Sequence, residues 1–127
     1  MFCLTASLED YLEIIYILQQ GDSGVGITDI SRELKISKPS VTKAIGILRS
    51  EELVIQEKYG KITLTEKGVL AAEEVYKKHK ILSKFINKVL GVNERTAEID
   101  ACKMEHVLSA ETLLGMKKYL NKINWEM

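Results

Sequence analysis

The sequence contains few residues that cross-link, break or loosen a polypeptide chain. Its 127 residues include two cysteines, one proline and eight glycines. Two cysteines do not make a disulfide framework, and the low proline and glycine content argues against a disordered chain or a long linker. The formal net charge is zero. Whole-chain charge therefore favours no partner, and any surface for nucleic acid has to come from a local patch.

The sequence also lacks segments typical of membrane or secreted proteins. No apolar run reaches the length that crosses a bilayer. The first segment, MFCLTASLEDYLEIIYIL, carries acidic residues where a secretory leader has basic residues and a continuous apolar core. We therefore expect a cytoplasmic protein that makes no membrane contact.

The stretch DACKMEHVLS, residues 100–109, concentrates side chains that can bind metal ions. Cys102, Glu105 and His106 stand at i, i+3 and i+4, so on a helix they share one face. A core helix would normally place leucine or valine at such positions. From this spacing alone, both a metal site and a solvated polar surface remain open.

Two other predicted helices carry further groups that can bind metal. His79, the other of the chain's two histidines, falls in a long helix, and Asp10 and Glu13 form an i, i+3 pair near the amino end. Ile14 and Ile17 flank this pair, so we expect its face to be covered. Three helices thus offer suitable ligands, although the spacing does not show that these ligands meet.

Apolar periodicity and capping residues predict a mainly α-helical protein with one β-hairpin. The predicted elements are a helix from Ser7, as its cap, to Gln20, a loop over 21–26, a helix from Ile27 to Leu34, a helix capped by Ser37 that runs through Leu48, a hairpin over 53–65, a helix from Thr65 to Gly91, and two helices over 93–123, the second capped by Ser109.

The order of these elements predicts the fold class. Two short helices joined by a tight turn form a helix-turn-helix, and a hairpin directly after the second helix makes it a winged helix. We expect a winged helix-turn-helix DNA-binding domain over residues 1–72. An α-helical domain for metal binding and dimerisation is expected over 73–127.

A local basic window supports DNA binding by the first domain. Residues 34–50 contain four basic side chains and no acid, as phosphate contact and groove entry by a recognition helix require. The alternative is a protein–protein module with a solvated basic face. The candidate DNA-contacting residues are Lys35, Ser37, Lys38, Pro39, Ser40, Lys43 and Arg49, with Lys58 and Lys61 on the wing.

Several stretches along the whole chain resemble the diphtheria-toxin-repressor and manganese-transport-regulator family of metal-dependent repressors. They are SLEDYLEIIYIL (7–18), SKPSVTKAIGILRSEELV (37–54), LTEKG (64–68), VYKKHKILSKF (75–85) and DACKMEHVLS (100–109). The resemblance implies a homodimeric repressor of a palindromic DNA operator, in the short form without the SH3-like domain of longer members. It also implies one shared metal site, with ligands at Asp10, Glu13, His79, Cys102, Glu105 and His106.

The sequence mixes the ligand sets of the two branches of this family. Asp10 is typical of the manganese branch, whereas Cys102 is typical of the iron branch. Ser83 and Glu98 stand where the iron branch has a glutamate and a histidine of its second site. Oxygen and nitrogen ligands suit Fe²⁺ or Mn²⁺, and Zn²⁺, Co²⁺ or Ni²⁺ could bind in vitro. Either the Cys102 sulfur or only its carbonyl could bind.

The charges of the expected ligands suggest how metal could control DNA binding. Without metal, Asp10, Glu13 and Glu105 would repel one another or take up protons, and the first helix would be held loosely. Divalent cations would remove this repulsion and favour one existing arrangement of the DNA-binding head.

Three other functions have to be compared with a metal-dependent repressor. A winged-helix regulator could sense a small molecule or the oxidation of Cys102, and its DNA binding would then not depend on metal. A small metalloenzyme needs an open coordination position and a placed acid or base, and no histidine remains for that purpose. A pure dimerisation module would leave the basic helix and the wing unexplained.

Overall fold

A computed structural model describes residues 6–19, 23–57 and 60–123 of the chain. Within the described residues it divides into two compact units, Met1–Glu74 and Val75–Met127, and it has no helix long and apolar enough to cross a membrane. The elements in chain order are α1 (Ala6–Leu18), α2 (Ile27–Leu34), α3 (Lys38–Ser50), β1 (Val54–Gln56), β2 (Ile62–Leu64), α4 (Glu66–Lys88), α5 (Glu94–Met104) and α6 (Ala110–Lys122).

Helices α2 and α3 form the predicted helix-turn-helix. The Ser37 hydroxyl caps α3 by accepting a hydrogen bond from the backbone N–H of Ser40 at 3.3 Å. Pro39 occupies the first turn of α3, where a missing N–H costs no helical hydrogen bond. In the tight turn Lys35 adopts a φ of 56°, in the left-handed region. The predicted bounds of α2 and the predicted cap of α3 are confirmed.

Strands β1 and β2 form the predicted hairpin, which is the wing. They pair antiparallel, with Val54 opposite Leu64. In the turn between them, Lys58 and Tyr59 lie outside the described residues, and Gly60 has a φ of 80°. A hairpin that follows a helix-turn-helix completes the winged helix of the first unit.

The predicted loop over 21–26 was wrong at Ser23 and Val25, which both lie in β-bridges. Val25 and Ile62 exchange two backbone hydrogen bonds of 2.8 Å, which adds an isolated bridge to the hairpin. Gly24 permits this approach, because a Cβ atom there would lie 2.8 Å from the Cβ of Lys61. Isolated bridge residues among glycines leave no alternating pattern in the sequence, so periodicity could not predict them.

Helix α1 begins and ends slightly earlier than predicted. It starts at Ala6, so Ser7 lies inside the first turn and is not the cap. It ends at Leu18, and the side chain of Gln19 then accepts a hydrogen bond from the backbone N–H of Leu64 at 2.9 Å. This bond ties the end of α1 to the wing.

The core of the first unit uses one face of each helix and the inner face of the hairpin. Leu12 and Ile15 of α1 are fully buried, and Leu8 packs against the same core. The other buried residues of this core are Tyr11, Val25, Ile30, Val41, Ala44, Ile45, Leu48, Leu53, Val54, Ile62, Leu64 and Ala72.

The second unit contains most of α4 and all of α5 and α6. Helix α4 ends at Lys88, three residues before Gly91, which has a φ of 73°. Asn93 caps α5, and Ser109 caps α6, as predicted, by accepting a hydrogen bond from the N–H of Thr112 at 3.1 Å. The core of this unit includes a cluster of Leu82, Ala101 and Leu113.

Candidate metal centre and nucleic-acid interface

Four of the predicted metal ligands lie together in the second unit, around Glu105. Helix α4 carries His79, whose Nδ1 is 3.6 Å from Glu105 Oε2. Glu105 ends α5, and its Oε1 is 3.6 Å from Nε2 of the next residue, His106. Cys102 is exposed one helical turn earlier, and its sulfur lies within 4.8 Å of a Glu105 oxygen. Cys102, Glu105 and His106 thus lie close together, with Glu105 and His106 just after Met104, the last residue of α5. Their role as metal ligands stays a prediction.

The Glu105 carboxylate is buried in a way that fits a bound cation. Glu105 is 1% exposed. Neither of its oxygens, nor Nδ1 of His79, has a hydrogen-bond partner among the described residues. A buried carboxylate without partners is costly, and carboxylate, imidazole and thiolate groups are ligands for divalent transition metals. The donor set of this unit therefore fits such an ion.

The charge on Glu105 also affects the neighbouring histidine. The Glu105 carboxylate raises the pKa of His79 to about 9, against the opposing effect of burial and with further support from Glu98. At 3.6 Å the contact with Glu105 is an ion pair and too long for a hydrogen bond. Near neutral pH the imidazole of His79 in the metal-free protein therefore carries a second ring proton and a positive charge. This charge partly balances the negative charge of the buried Glu105 carboxylate.

Glu98 is a partner of His79 that the sequence did not reveal. Its Oε2 lies 2.5 Å from Nε2 of His79. In the sequence, position 98 marked only a departure from the second site of the iron branch. Glu98 and Glu105 are seven residues apart, or two helical turns, so they share a face of α5. That spacing is the available signal, but it does not indicate which residue of α4 would face them.

The other two predicted ligands belong to α1 in the first unit. Asp10 is half-buried and Glu13 is 9% exposed, in keeping with the expected covered face. Three residues after Glu13, the Tyr16 hydroxyl donates a hydrogen bond of 3.2 Å to Glu73, in the part of α4 that belongs to the first unit. Within the first unit, α1 is thus anchored to α4 as well as to the wing.

Helix α3 presents the predicted basic surface away from the core. Val41, Ala44, Ile45 and Leu48 are buried on its inner side. The exposed residues of its first two turns are Lys38, Pro39, Ser40, Thr42 and Lys43. Thr42 is exposed on the same face but was not among the predicted DNA contacts. The burial of Val41 and Ala44 on the inner side of the helix is what shows that Thr42 faces outward.

The remaining predicted DNA contacts lie around this helix. Lys35, Ser37 and Lys61 are exposed. Arg49 Nη1 donates a hydrogen bond of 3.0 Å to Gln56 Oε1, which connects the end of α3 to β1. Lys58 lies outside the described residues. Cationic side chains of α3 and of the wing are therefore available at the surface of the first unit.

Two family models match nearly the whole chain. Residues 3–62 match the iron-dependent repressor N-terminal DNA-binding domain. Residues 65–125 match the iron-dependent repressor metal-binding and dimerisation domain.

Individual relatives support the match to the iron-dependent repressor family models. An uncharacterised HTH-type transcriptional regulator of Methanocaldococcus jannaschii is 38% identical over 94% of this chain and 96% of its own length. The HTH-type transcriptional regulator MntR of Geobacillus thermodenitrificans is 36% identical over 83% of this chain and 74% of its own length. The solved structure of the manganese regulator SloR is similar with a TM-score of 0.81 and 30% identity; the match covers 93% of this chain but 55% of that chain.

Proposed function

Because the chain belongs to the iron-dependent repressor family of metal-dependent transcriptional regulators, we propose that it represses transcription in response to Fe²⁺ or Mn²⁺ by binding a DNA operator. The observation that carries the proposal is Glu105, a fully buried carboxylate whose oxygens face two histidines and have no hydrogen-bond partner in the described part of the chain. The family consists of DNA-binding regulators that dimerise. The metalloenzyme that the ligand cluster alone left open is therefore excluded.

The proposed signal is Fe²⁺ or Mn²⁺. Carboxylate and imidazole ligands suit both ions, whereas the thiolate of Cys102 moves the preference toward Fe²⁺, Co²⁺ or Zn²⁺. Similarity to MntR and to the manganese regulator SloR supports manganese. Zn²⁺, Co²⁺ and Ni²⁺ are expected to bind in vitro without being the cellular signal.

We also propose Asp10 and Glu13 as ligands of the same centre. Their support is their residue type, their one-turn spacing on α1, the near-complete burial of Glu13 and their match to the manganese branch. A bound divalent cation would supply the positive charge that these carboxylates and Glu105 lack. Ligands from both units would then favour one arrangement of the DNA-binding unit among those it already samples.

The proposed DNA contacts use the exposed face of α3 and the wing. Lys38, Ser40 and Lys43 belong to the helix that enters the major groove in helix-turn-helix proteins. Lys35, Ser37, Pro39, Arg49, Lys58 and Lys61 complete the proposed surface. We propose that a homodimer presents two such surfaces to a palindromic operator, and that it acts in the cytoplasm.

Operator binding after chelation tests the role of metal. A fragment selected from random DNA by the Mn²⁺-loaded protein serves as the operator. In a gel shift we expect retardation with Mn²⁺ or Fe²⁺ and loss of retardation after the metal is removed. Equal affinity in both conditions would eliminate metal as the signal.

A pair of glutamate variants of α5 tests the centre itself. Glu105→Gln keeps the size of the side chain but removes its charge, so the metal response should disappear. Glu94→Gln makes the same change at an exposed position of α5 and should behave like the wild type. Unchanged metal affinity of Glu105→Gln in calorimetry would count against the proposed site.

Oxidation of Cys102 is the second candidate signal, because this thiol is exposed. If oxidation of Cys102 is the signal, operator binding should be the same with and without chelator and should change after mild peroxide treatment. A Cys102→Ser protein that keeps a normal metal response would argue against it.

A further inference from the structure

His79 lies between two glutamates of α5 that contact opposite sides of its ring. Nε2 is 2.5 Å from Glu98 Oε2, and Nδ1 is 3.6 Å from Glu105 Oε2. The two glutamates differ in their surroundings, since the Glu98 side chain is 60% exposed and that of Glu105 is fully buried. The two ring nitrogens therefore have different partners.

These partners determine which nitrogen can bind a cation. A neutral imidazole has one N–H and one lone pair, and an ionised carboxylate only accepts hydrogen bonds. When His79 gives up its second ring proton to bind a cation, the close contact with Glu98 keeps the remaining N–H on Nε2. The lone pair is then on Nδ1, the nitrogen that is buried, has no hydrogen-bond partner among the described residues and faces Glu105.

We infer that Glu98 is a positioning residue, which holds the Nε2–H form of His79 so that Nδ1 faces the metal centre beside Glu105. The inference rests on the proposed function, because it assigns a role toward the proposed centre. A carboxylate on the far nitrogen fixes the ring orientation and makes the histidine a stronger ligand. Glu98 would thus raise metal affinity through its contact with His79, without binding the metal itself.

The test uses histidine labelled with ¹⁵N and ¹¹³Cd²⁺ as the probe ion. The chain has only two histidines, so the ring signals of His79 are those lost in His79→Gln. In the wild type we expect cadmium coupling to Nδ1 of His79 and a proton on Nε2. Coupling to Nε2 instead would overturn the inference.

Substitutions at position 98 add an affinity measurement. Glu98→Ala should lower Cd²⁺ and Mn²⁺ affinity about 10- to 100-fold, the usual effect of losing such a partner, and should remove the preference for Nδ1. Glu98→Gln retains an oxygen that accepts the Nε2 hydrogen bond, so it should restore the Nδ1 coupling and much of the affinity. Because Glu98 is mostly exposed, both variants should fold, and circular dichroism checks that they do.

A matched control separates the role of Glu98 from a general charge effect. Asp100→Ala removes one negative charge from an exposed position of the same helix and should leave affinity and coupling unchanged. Wild-type affinity in Glu98→Ala would overturn the positioning role while Glu105→Gln still loses metal. If Glu105→Gln also binds normally, the proposed centre fails together with this inference.

Discussion

His79 links the stability of the metal-free protein to pH. The Glu105 carboxylate raises its pKa in the folded state from an ordinary value of 6.5 to about 9. A raised pKa means that protonation favours the folded state, so this contribution is fully present below pH 6.5 and is lost as pH rises through about 9. We expect the free energy of unfolding in chelator to fall across that interval.

Urea unfolding of His79→Gln provides the comparison. This variant cannot gain the proton, so its free energy of unfolding should change less between about pH 6.5 and about pH 9. Parallel pH profiles for the wild type and His79→Gln would contradict the prediction.

Cys102 determines whether the centre includes a soft ligand. Its sulfur lies within 4.8 Å of a Glu105 oxygen, so we expect a sulfur–metal bond. The Co²⁺-loaded wild type should show a thiolate-to-metal charge-transfer band in the near ultraviolet. Cys102→Ser should lose that band and should lose affinity for Zn²⁺ more than for Mn²⁺. Cys3→Ser is the matched control and should keep the band. If Cys102→Ser also keeps the band, the Cys102 sulfur does not bind the metal, and only the backbone carbonyl of residue 102 remains as a candidate ligand.

The candidate site shows what residue spacing can predict. The i, i+3, i+4 spacing predicts that Cys102, Glu105 and His106 lie near one another, and the structure places them together at the end of α5. The contact of Glu98 with His79 depends on how α5 packs on α4, and helical spacing carries no information about that packing. The clustering of these candidate ligands was therefore accessible from the sequence, whereas the partner of His79 was not.

At the level of elements, the junction between the wing and α4 depends on Gly68. A Cβ atom at this position would lie 1.9 Å from the backbone oxygen of Leu53. Thr65 fixes the same junction, because its hydroxyl accepts a hydrogen bond from the N–H of Gly68 and donates one to the carbonyl of Glu52. The helix and the strand cannot separate without breaking these bonds.

We therefore expect Gly68→Ala to destabilise the protein by about 1–3 kcal/mol or more, the usual cost of overpacking. The measurement is the midpoint and slope of chemical unfolding. Gly115→Ala is the control, because a Cβ atom in the middle of α6 would meet nothing within 4 Å. Equal stability of the two variants would show that the junction can relax.

Gly46 of α3 differs from Gly68, because a Cβ atom at position 46 would meet nothing within 4 Å. Packing within the described residues thus gives no reason for glycine, which costs about 1 kcal/mol relative to alanine inside a helix. We expect Gly46→Ala to stabilise the protein by about 0.5–1 kcal/mol and to weaken operator binding, because glycine also permits close approach of the backbone to a ligand. A gel shift beside thermal unfolding tests both parts, and stabilisation with unchanged DNA binding would refute the second.

The elements also show how far local patterns predict the fold. Ser37 and Ser109 were correct as caps, because a serine hydroxyl before an apolar helical period is a local signal. The bridge between Val25 and Ile62 was missed, because it joins positions far apart in the sequence. Ser7 was wrong as a cap, because Ala6 is a strong helix former that lets α1 begin earlier.

The second unit as a whole has a small core and a large apolar surface. Among its described residues, the buried apolar side chains are those of Val75, Leu82, Ile86, Ala97, Ala101, Leu113 and Leu120. Exposed large apolar side chains of this unit include Leu90, Ile99, Val107, Leu114, Tyr119 and Ile123. Such surface is typical of a protein–protein interface, as expected of a domain that dimerises.

Leu114 is suited to a test of the dimer because it is 52% exposed on α6, next to the buried core residue Leu113. We expect Leu114→Glu to place a charge in the interface and to produce monomers in sedimentation equilibrium. A palindromic operator needs two DNA-binding heads at a fixed spacing, so the monomer should lose operator binding even with metal bound. Leu70→Glu changes a leucine of the first unit that is 63% exposed and should remain dimeric. A dimeric Leu114→Glu protein would place the interface elsewhere, whereas a monomer that still binds the operator tightly would contradict the need for two heads.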